Sequence, residues 1–400
     1  MRIACLPLLL LPLAAAPAAA QTLTPLADAR LRYERVEQDG LPQASDAVTI
    51  RVRTGVQAAM GPLSALVQAQ GTIALVPDYF DGLHGSAALR PLIADPQNVS
   101  IYRAQLRYAA HGLAVTAGRQ AIQLDDERFV GAGAFRQNGQ TFDAVRAEVT
   151  PVKGVKADVS YIWSIRTVNG IDGRGARPTA IGGDTVLANV GWTSPVGTLT
   201  GFAYLIDEDE AAVQGFRLSS QTYGVRLAGN RGIGIAKLGY QLSYARQSDY
   251  HRNPNRYAAD YWLADLSLDL GGPKLGAGYE VLGADKGVAL TSFQTPLSSI
   301  FKFQGWADKF TATPADGIRD AYASGGWGWT QVGQLKAVSL TASYHRFESD
   351  RLVRHYGNEI DLLASARLGR TTASVRYADY RADRLFTDTR KLWLQLDWSL

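Results

Sequence analysis

Alternation with a period of two runs along this chain to its last residue. In residues 49–56, Ile50, Val52, Thr54 and Val56 alternate with Thr49, Arg51, Arg53 and Gly55. Tyr102, Ala104, Leu106 and Tyr108 alternate with Arg103, Gln105 and Arg107, and Leu394, Leu396, Trp398 and Leu400 close the chain opposite Gln395, Asp397 and Ser399. Side chains of a β-strand point to opposite faces in turn, so each run gives a strand with one apolar and one polar face. Such runs predict about 18 strands of roughly ten residues, the length of a tilted membrane-spanning strand. The first is expected from about residue 29, the eighth from about 184 and the sixteenth from about 359.

The connections carry independent information, because they alternate between short and long. Short ones are expected at 60–62, 110–112, 151–154, 194–197, 229–232, 271–272, 331–334 and 369–370. Long ones lie between them, among them 77–98, 122–140, 165–183 and 283–320. Bacterial outer-membrane barrels have short periplasmic turns and long external loops. A soluble β-sandwich needs no such alternation. Aromatics fit the same reading: Trp163, Tyr244, Trp262 and Tyr344 fall at external strand ends on the apolar face, and Tyr108, Trp192 and Trp398 at periplasmic ends. These are the two aromatic girdles of such a barrel.

The fold class expected is therefore all-β, a transmembrane antiparallel barrel of about 18 strands with periplasmic termini. Residues 1–20 read as a cleaved signal peptide, with Arg2, an apolar run and Ala18-Ala19-Ala20 before Gln21. Residues 21–400 show no linker or shift in composition and read as one barrel domain. The expected location is the outer membrane of a Gram-negative cell, with its lipid as a partner. The only cysteine is Cys5, inside the leader, so disulfides and thiolate metal sites are excluded from the mature chain. The formal charge of +4 becomes +3 without Arg2, too balanced for a nucleic-acid partner. Strands that begin so early leave no room for an N-terminal plug domain.

In a barrel of this size the inner face is expected to line an aqueous channel rather than a packed core. The early strands place Arg30, Arg32, Arg51, Arg53, Arg103, Arg107, Arg119 and Arg146 on that face, against few acids. Later strands contribute Asp265, Asp269, Glu280, Glu359, Asp361 and Asp397. Arginine donors match carboxylates and phosphates bidentately, and a row of them concentrates anions in a confined channel. The alternative is that these arginines pair with nearby acids and stiffen the wall. Segment 283–320, with Phe301, Phe303, Trp306 and Phe310 clustered, is expected to act as a gate in or over the mouth, or as a packed external cap.

Catalysis is not expected. Of five histidines only His345 lies within a strand, with Ser343 and Thr341 as ordinary inward neighbours. Asp125-Asp126-Glu127 lacks the spacing of a calcium loop. No metal or cofactor is expected.

Four segments carry a resemblance: "GRQAIQLDDERFVG" (118–131), "FRQNGQTFDAVR" (135–146), "FQGWADKF" (303–310) and "PADGIRDAY" (314–322). With the barrel length and topology they resemble the alginate-export family of outer-membrane proteins, over nearly the whole mature chain. That resemblance implies a monomeric 18-stranded barrel with an arginine-lined pore for a polyuronate. It also implies pore or gate roles for Arg119, Asp126, Arg128, Arg136 and Asp143, with periplasmic secretion partners. The terminal Leu400 departs from the usual aromatic. The leading expectation is a passive channel for anionic sugars or other small anions. Polysaccharide export, a general porin and a barrel hydrolase are the alternatives, the last from a different functional class.

Overall fold

The computed structural model describes residues 22–400, so the leader lies outside the described residues. Its strands are β1 Thr22–Gln38, β2 Ser45–Met60, β3 Leu63–Asp78, β4 Asn98–Ala110, β5 Leu113–Gln120, β6 Thr141–Val152, β7 Val155–Arg166, β8 Ala180–Ser194 and β9 Gly197–Ile206. They continue with β10 Ser220–Ile233, β11 Ala236–Asp249, β12 Ala258–Asp269, β13 Pro273–Leu282, β14 Ile318–Val332, β15 Leu335–Glu348, β16 His355–Leu368, β17 Thr371–Ala382 and β18 Thr389–Ser399. The 18 strands form one sheet of antiparallel neighbours, closed where β1 pairs with β18 and with β2. Closure removes the unpaired edges that lipid cannot satisfy. The described residues contain no helix long and apolar enough to cross a membrane.

Strand starts differ from the sequence reading where local composition hides the pattern. β1 begins at Thr22 because Thr22 to Asp28 pair with Arg53 to Ala59 of β2, although Pro25 interrupts the alternation. β8 begins at Ala180, ahead of Gly182-Gly183, which carry no face signal. The turn expected at 229–232 is instead interior to β10. The chain reverses at Gly234, with φ +60°, and Gly229 is small because the Tyr240 ring crosses it.

The two faces follow the alternation. Val52 and Val56 are 47% and 45% exposed on the outside, while Arg51 and Arg53 are 5% and 8% exposed on the inside. The girdle residues Trp163, Trp262, Tyr344, Tyr108, Trp192 and Trp398 are likewise outward and exposed. On β4 one face assignment fails. A bulge between Gln68/Arg103 and Ala69/Ile101 leaves Tyr102 unmatched and turns its ring inward, 3.8 Å beneath the Arg53 guanidinium.

The outward surface makes a clean prediction. Val52 sits near the middle of β2, between Ala29 and Gly71. Val52→Arg adds no new residue type to a strand that already holds two arginines, yet it faces hydrocarbon. It is expected to cost ~2–4 kcal/mol, read by guanidinium unfolding in phospholipid vesicles.

The interior departs from the expected aqueous channel. Long connections fold into the lumen and build an apolar core there. Ile122, Leu124, Val130, Phe293, Leu297 and Phe310 are buried against inward Tyr204, Tyr261, Phe347, Tyr380 and Trp393. Long loops with this many apolar groups bury them wherever water can be excluded, and the lumen is the available place.

Candidate functional site

Two segments fold into the lumen, residues 121–140 after β5 and 283–317 after β13. Each brings an aromatic anchor. Phe129 lies within 5.1–6.0 Å of the rings of Phe202, Tyr204, Tyr261 and Phe293. Phe135 and Phe301 stack face to face, and both meet Trp393 edge-on at 5.8 and 5.6 Å. Each fully buried ring or Leu contributes ~1.5–3 kcal/mol of apolar transfer, partly offset by ordering the loops. The segments also bond each other, with Gly131 N donating to the Leu297 carbonyl at 2.8 Å and Ser299 N to that of Glu127 at 3.1 Å.

Ion pairs fix both segments to the wall. Arg128 donates to Glu280 of β13 at 2.6 Å, with both side chains almost fully buried. Glu280 also accepts from Tyr261 Oη at 2.8 Å and Gln304 at 3.2 Å. Arg136 pairs with Asp308, and Lys302 with Glu127, so the two segments are tied to one another. Asp126 accepts from Gln241 at 2.5 Å and lies 3.7 Å from Arg226. Trp306 packs on Phe301, and next to it Ala307 N donates to Glu359 at 2.6 Å. Gly305, at φ +77°, lies where a β-carbon would run into the Glu359 carboxylate. Asp126, Arg128, Arg136 and Trp306 thus all lie on the two inward-folded segments, each with its own partners.

Arg119 and Asp143 do not. They pair with each other at 2.7 Å on the outer face, at the external ends of β5 and β6. The phase of β5 decides this: Ala114, Thr116 and Gln120 are buried inward, so Ala117 and Arg119 point outward. Both therefore lie outside the lumen that they were expected to line.

The remaining arginines are inward but mostly engaged. Arg30 binds Asp397 at 2.6 Å and the Phe135 carbonyl at 2.9 Å. Arg32 is fully buried and binds Asp95 at 3.0 Å and Gln395 at 2.9 Å, besides the Phe135 carbonyl. Arg51 pairs with Asp28 at 2.6 Å, Arg107 with Glu148 at 2.8 Å and Arg146 with Asp158. Arg53 and Arg103 have no carboxylate partner among the described residues. They donate to Gln70 and Gln68 at 2.6 and 2.9 Å and flank the Tyr102 ring. Arg30 and Arg32 are thus a seat for segment 121–140.

A cavity of about 720 Å³ lies on the external side, lined by both segments and by loop residues of other connections. Its walls are largely apolar, including Phe135, Leu297, Phe301 and Phe386. Its charges are mostly basic: Arg136, Arg177, Lys302, Lys309 and Lys391 against Asp308 and Glu208. Arg177 and Lys309 form no ion pair among the described residues. Lys309 Nζ donates to Gln38 at 3.2 Å, and burial together with Lys391 holds its pKa down to about 8. Burial, reinforced by Asp207, pushes the Glu208 carboxyl up to about 7. Sequence reasoning missed Lys302, Lys309 and Arg177. For two of them a signal existed, since Lys302 and Lys309 interrupt the aromatic cluster at 301–310.

His345 faces Asp320 at 3.0 Å and Asp361 at 3.8 Å, and among the described residues no hydroxyl bonds its ring. It is a rung in a carboxylate ladder across β14 to β16.

No family model matches this chain, and no curated protein matches it. Solved structures do. OpdO of Pseudomonas aeruginosa is 16% identical, with a TM-score of 0.69 over 94% of this chain and 97% of that one. OccAB4 of Acinetobacter baumannii is 12% identical, with a TM-score of 0.70 over 96% and 98%. OpdK of Pseudomonas aeruginosa, solved with vanillate, is 12% identical, with a TM-score of 0.69 over 94% and 98%. OpdK is described as an outer-membrane protein. The chain has the fold of an outer-membrane β-barrel porin.

Proposed function

We propose that this chain is an outer-membrane channel for small organic anions, which gather in the external cavity before passing the two inward-folded segments. The observation that carries this reading is the basic excess in that cavity: five cationic side chains and two carboxylates over an apolar lining. Confined like charges of this kind attract anions and raise their local concentration. Aromatic walls suit a solute with an apolar body, and a small carboxylate is compatible with about 720 Å³. The similarly folded OpdK was solved with vanillate, a small aromatic carboxylate, which favours the same class of solute. Passage of a polyuronate shares the anion preference. It asks more of the lumen, because a polymer needs segments 121–140 and 283–317 displaced together.

Planar bilayers test this. Under a KCl gradient the wild type is expected to be anion-selective, and the Lys302→Gln, Lys309→Gln, Lys391→Gln triple variant should lose most of that preference. Cation selectivity in the wild type would overturn the proposal. Block by an aromatic carboxylate at millimolar concentration supports a small-solute channel, whereas tighter block by oligouronates would favour polysaccharide export.

A further inference from the structure

Strand β5 has 8 residues, while its neighbours β4 and β6 have 13 and 12. Its last pairings are Arg119 with Ala104 and Gln120 with Phe142. Above them β4 continues outward from Arg103 to Asn98 with no strand beside it on that side. The barrel wall therefore has a window at its external rim. Segment 167–179 roofs it, with Ile171 N reaching the Gln97 carbonyl at 3.4 Å. The Arg119 guanidinium closes the lower edge by donating to the Ile101 carbonyl at 3.1 Å.

The window holds a cavity of about 220 Å³ lined by Ser100, Thr141, Arg166, Thr167 and Thr179, among others. Arg166 is half-buried and has neither a carboxylate nor a hydrogen-bond partner among the described residues. Arg119, on the same outer face, is neutralised by Asp143, so Arg166 leaves the window with a net positive charge. Exposed apolar residues surround it: Val99, Ile101, Trp163 and Ile171 are 71%, 44%, 43% and 58% exposed. The Thr167 hydroxyl is spent on the Pro178 carbonyl, and a guanidinium with the three remaining hydroxyls, of Ser100, Thr141 and Thr179, suits a phosphate, which accepts several hydrogen bonds at once. The apolar surround suits an acyl chain beneath it.

We infer that this window binds the phosphate of an outer-leaflet lipid headgroup, with Arg166 as the charged contact. The proposal is independent of what the lumen transports.

Native mass spectrometry of the full barrel in detergent tests it, with a phosphomonoester lipid and its dephosphorylated counterpart as probes. The phosphorylated lipid is expected to bind about tenfold or more tightly, the worth of one charge-assisted contact. Arg166→Gln should erase that preference, Arg166→Lys should retain part of it, and single-channel conductance should stay unchanged in both. Equal binding of the two lipids by the wild type overturns the inference. Displacement of the lipid by millimolar inorganic phosphate would show a site for free anions and overturn the assignment to a headgroup. Should Arg166→Gln fail to fold, the wild-type comparison and the phosphate competition decide alone.

Discussion

Replacing Arg128 with alanine is expected to open the channel. The change strips Glu280 of the Arg128 guanidinium and leaves a carboxylate buried inside the lumen, with Tyr261 and Gln304 as donors that remain. Removing one member of a buried ion pair costs ~3–5 kcal/mol, because the survivor keeps its desolvation penalty. The chain escapes that cost by letting segment 121–140 leave its seat and admitting water to Glu280. At about 1.4 kcal/mol per factor of ten, even the lower figure shifts the seated-to-released ratio about a hundredfold. Single-channel recordings should show a conductance raised about severalfold, with long-lived open states. Glu280→Gln alone should act in the same direction, since it strands the cation instead. The pair Arg128→Met with Glu280→Gln removes both charges and should return conductance most of the way to wild type, giving a large coupling in the double-mutant cycle. Unchanged conductance in Arg128→Ala would show that the aromatic anchors hold the segment without the ion pair.

The wall of this barrel was readable in the sequence, and its filling was not. Period two tells which side chains share a face, so Val52 and Val56 were placed outside and Arg51 and Arg53 inside from eight residues. Alternating connection lengths oriented the strands. Periodicity is silent on what a loop does after it leaves the sheet. The partner of Arg32 is Asp95, 63 residues away on the connection between β3 and β4, and no strand pattern carries that contact. An arginine row that seats a loop and one that lines open water look alike in one dimension. Arg119 is a different case. Leu113, Val115 and Ala117 already set the outward phase of β5, and extending it by one step puts Arg119 outside. Residue type points Arg119 to the lumen, and the periodicity of β5, which the fold obeys, points it outward. The bulge at Tyr102 marks the true limit, since one unmatched residue reverses a face without any signature in composition.

Anion selectivity is expected to fall as pH rises from 6 to 9, and the cavity names the groups responsible. Lys309 titrates at about 8, so it carries its charge at pH 6 and has lost it at pH 9. Glu208, on the same cavity, titrates at about 7, so it is mostly neutral at pH 6 and ionised at pH 9. One group loses a positive charge and the other gains a negative one, and both changes repel anions. The cause is shared: burial disfavours the charged form of each, lowering the lysine and raising the carboxyl. Lys391 beside Lys309 and Asp207 beside Glu208 push further in the same directions. Reversal potentials under a fixed KCl gradient should therefore shift steadily toward the cation side, with the steepest change between pH 7 and 8. Lys309→Arg keeps its charge throughout and should remove the upper part of the shift. Glu208→Gln should remove the lower part. The double variant should give a nearly flat profile at an anion selectivity close to that of the wild type at pH 6. A double variant that keeps the full wild-type slope would place the titrating groups elsewhere on the path, and would sever the external cavity from ion selection.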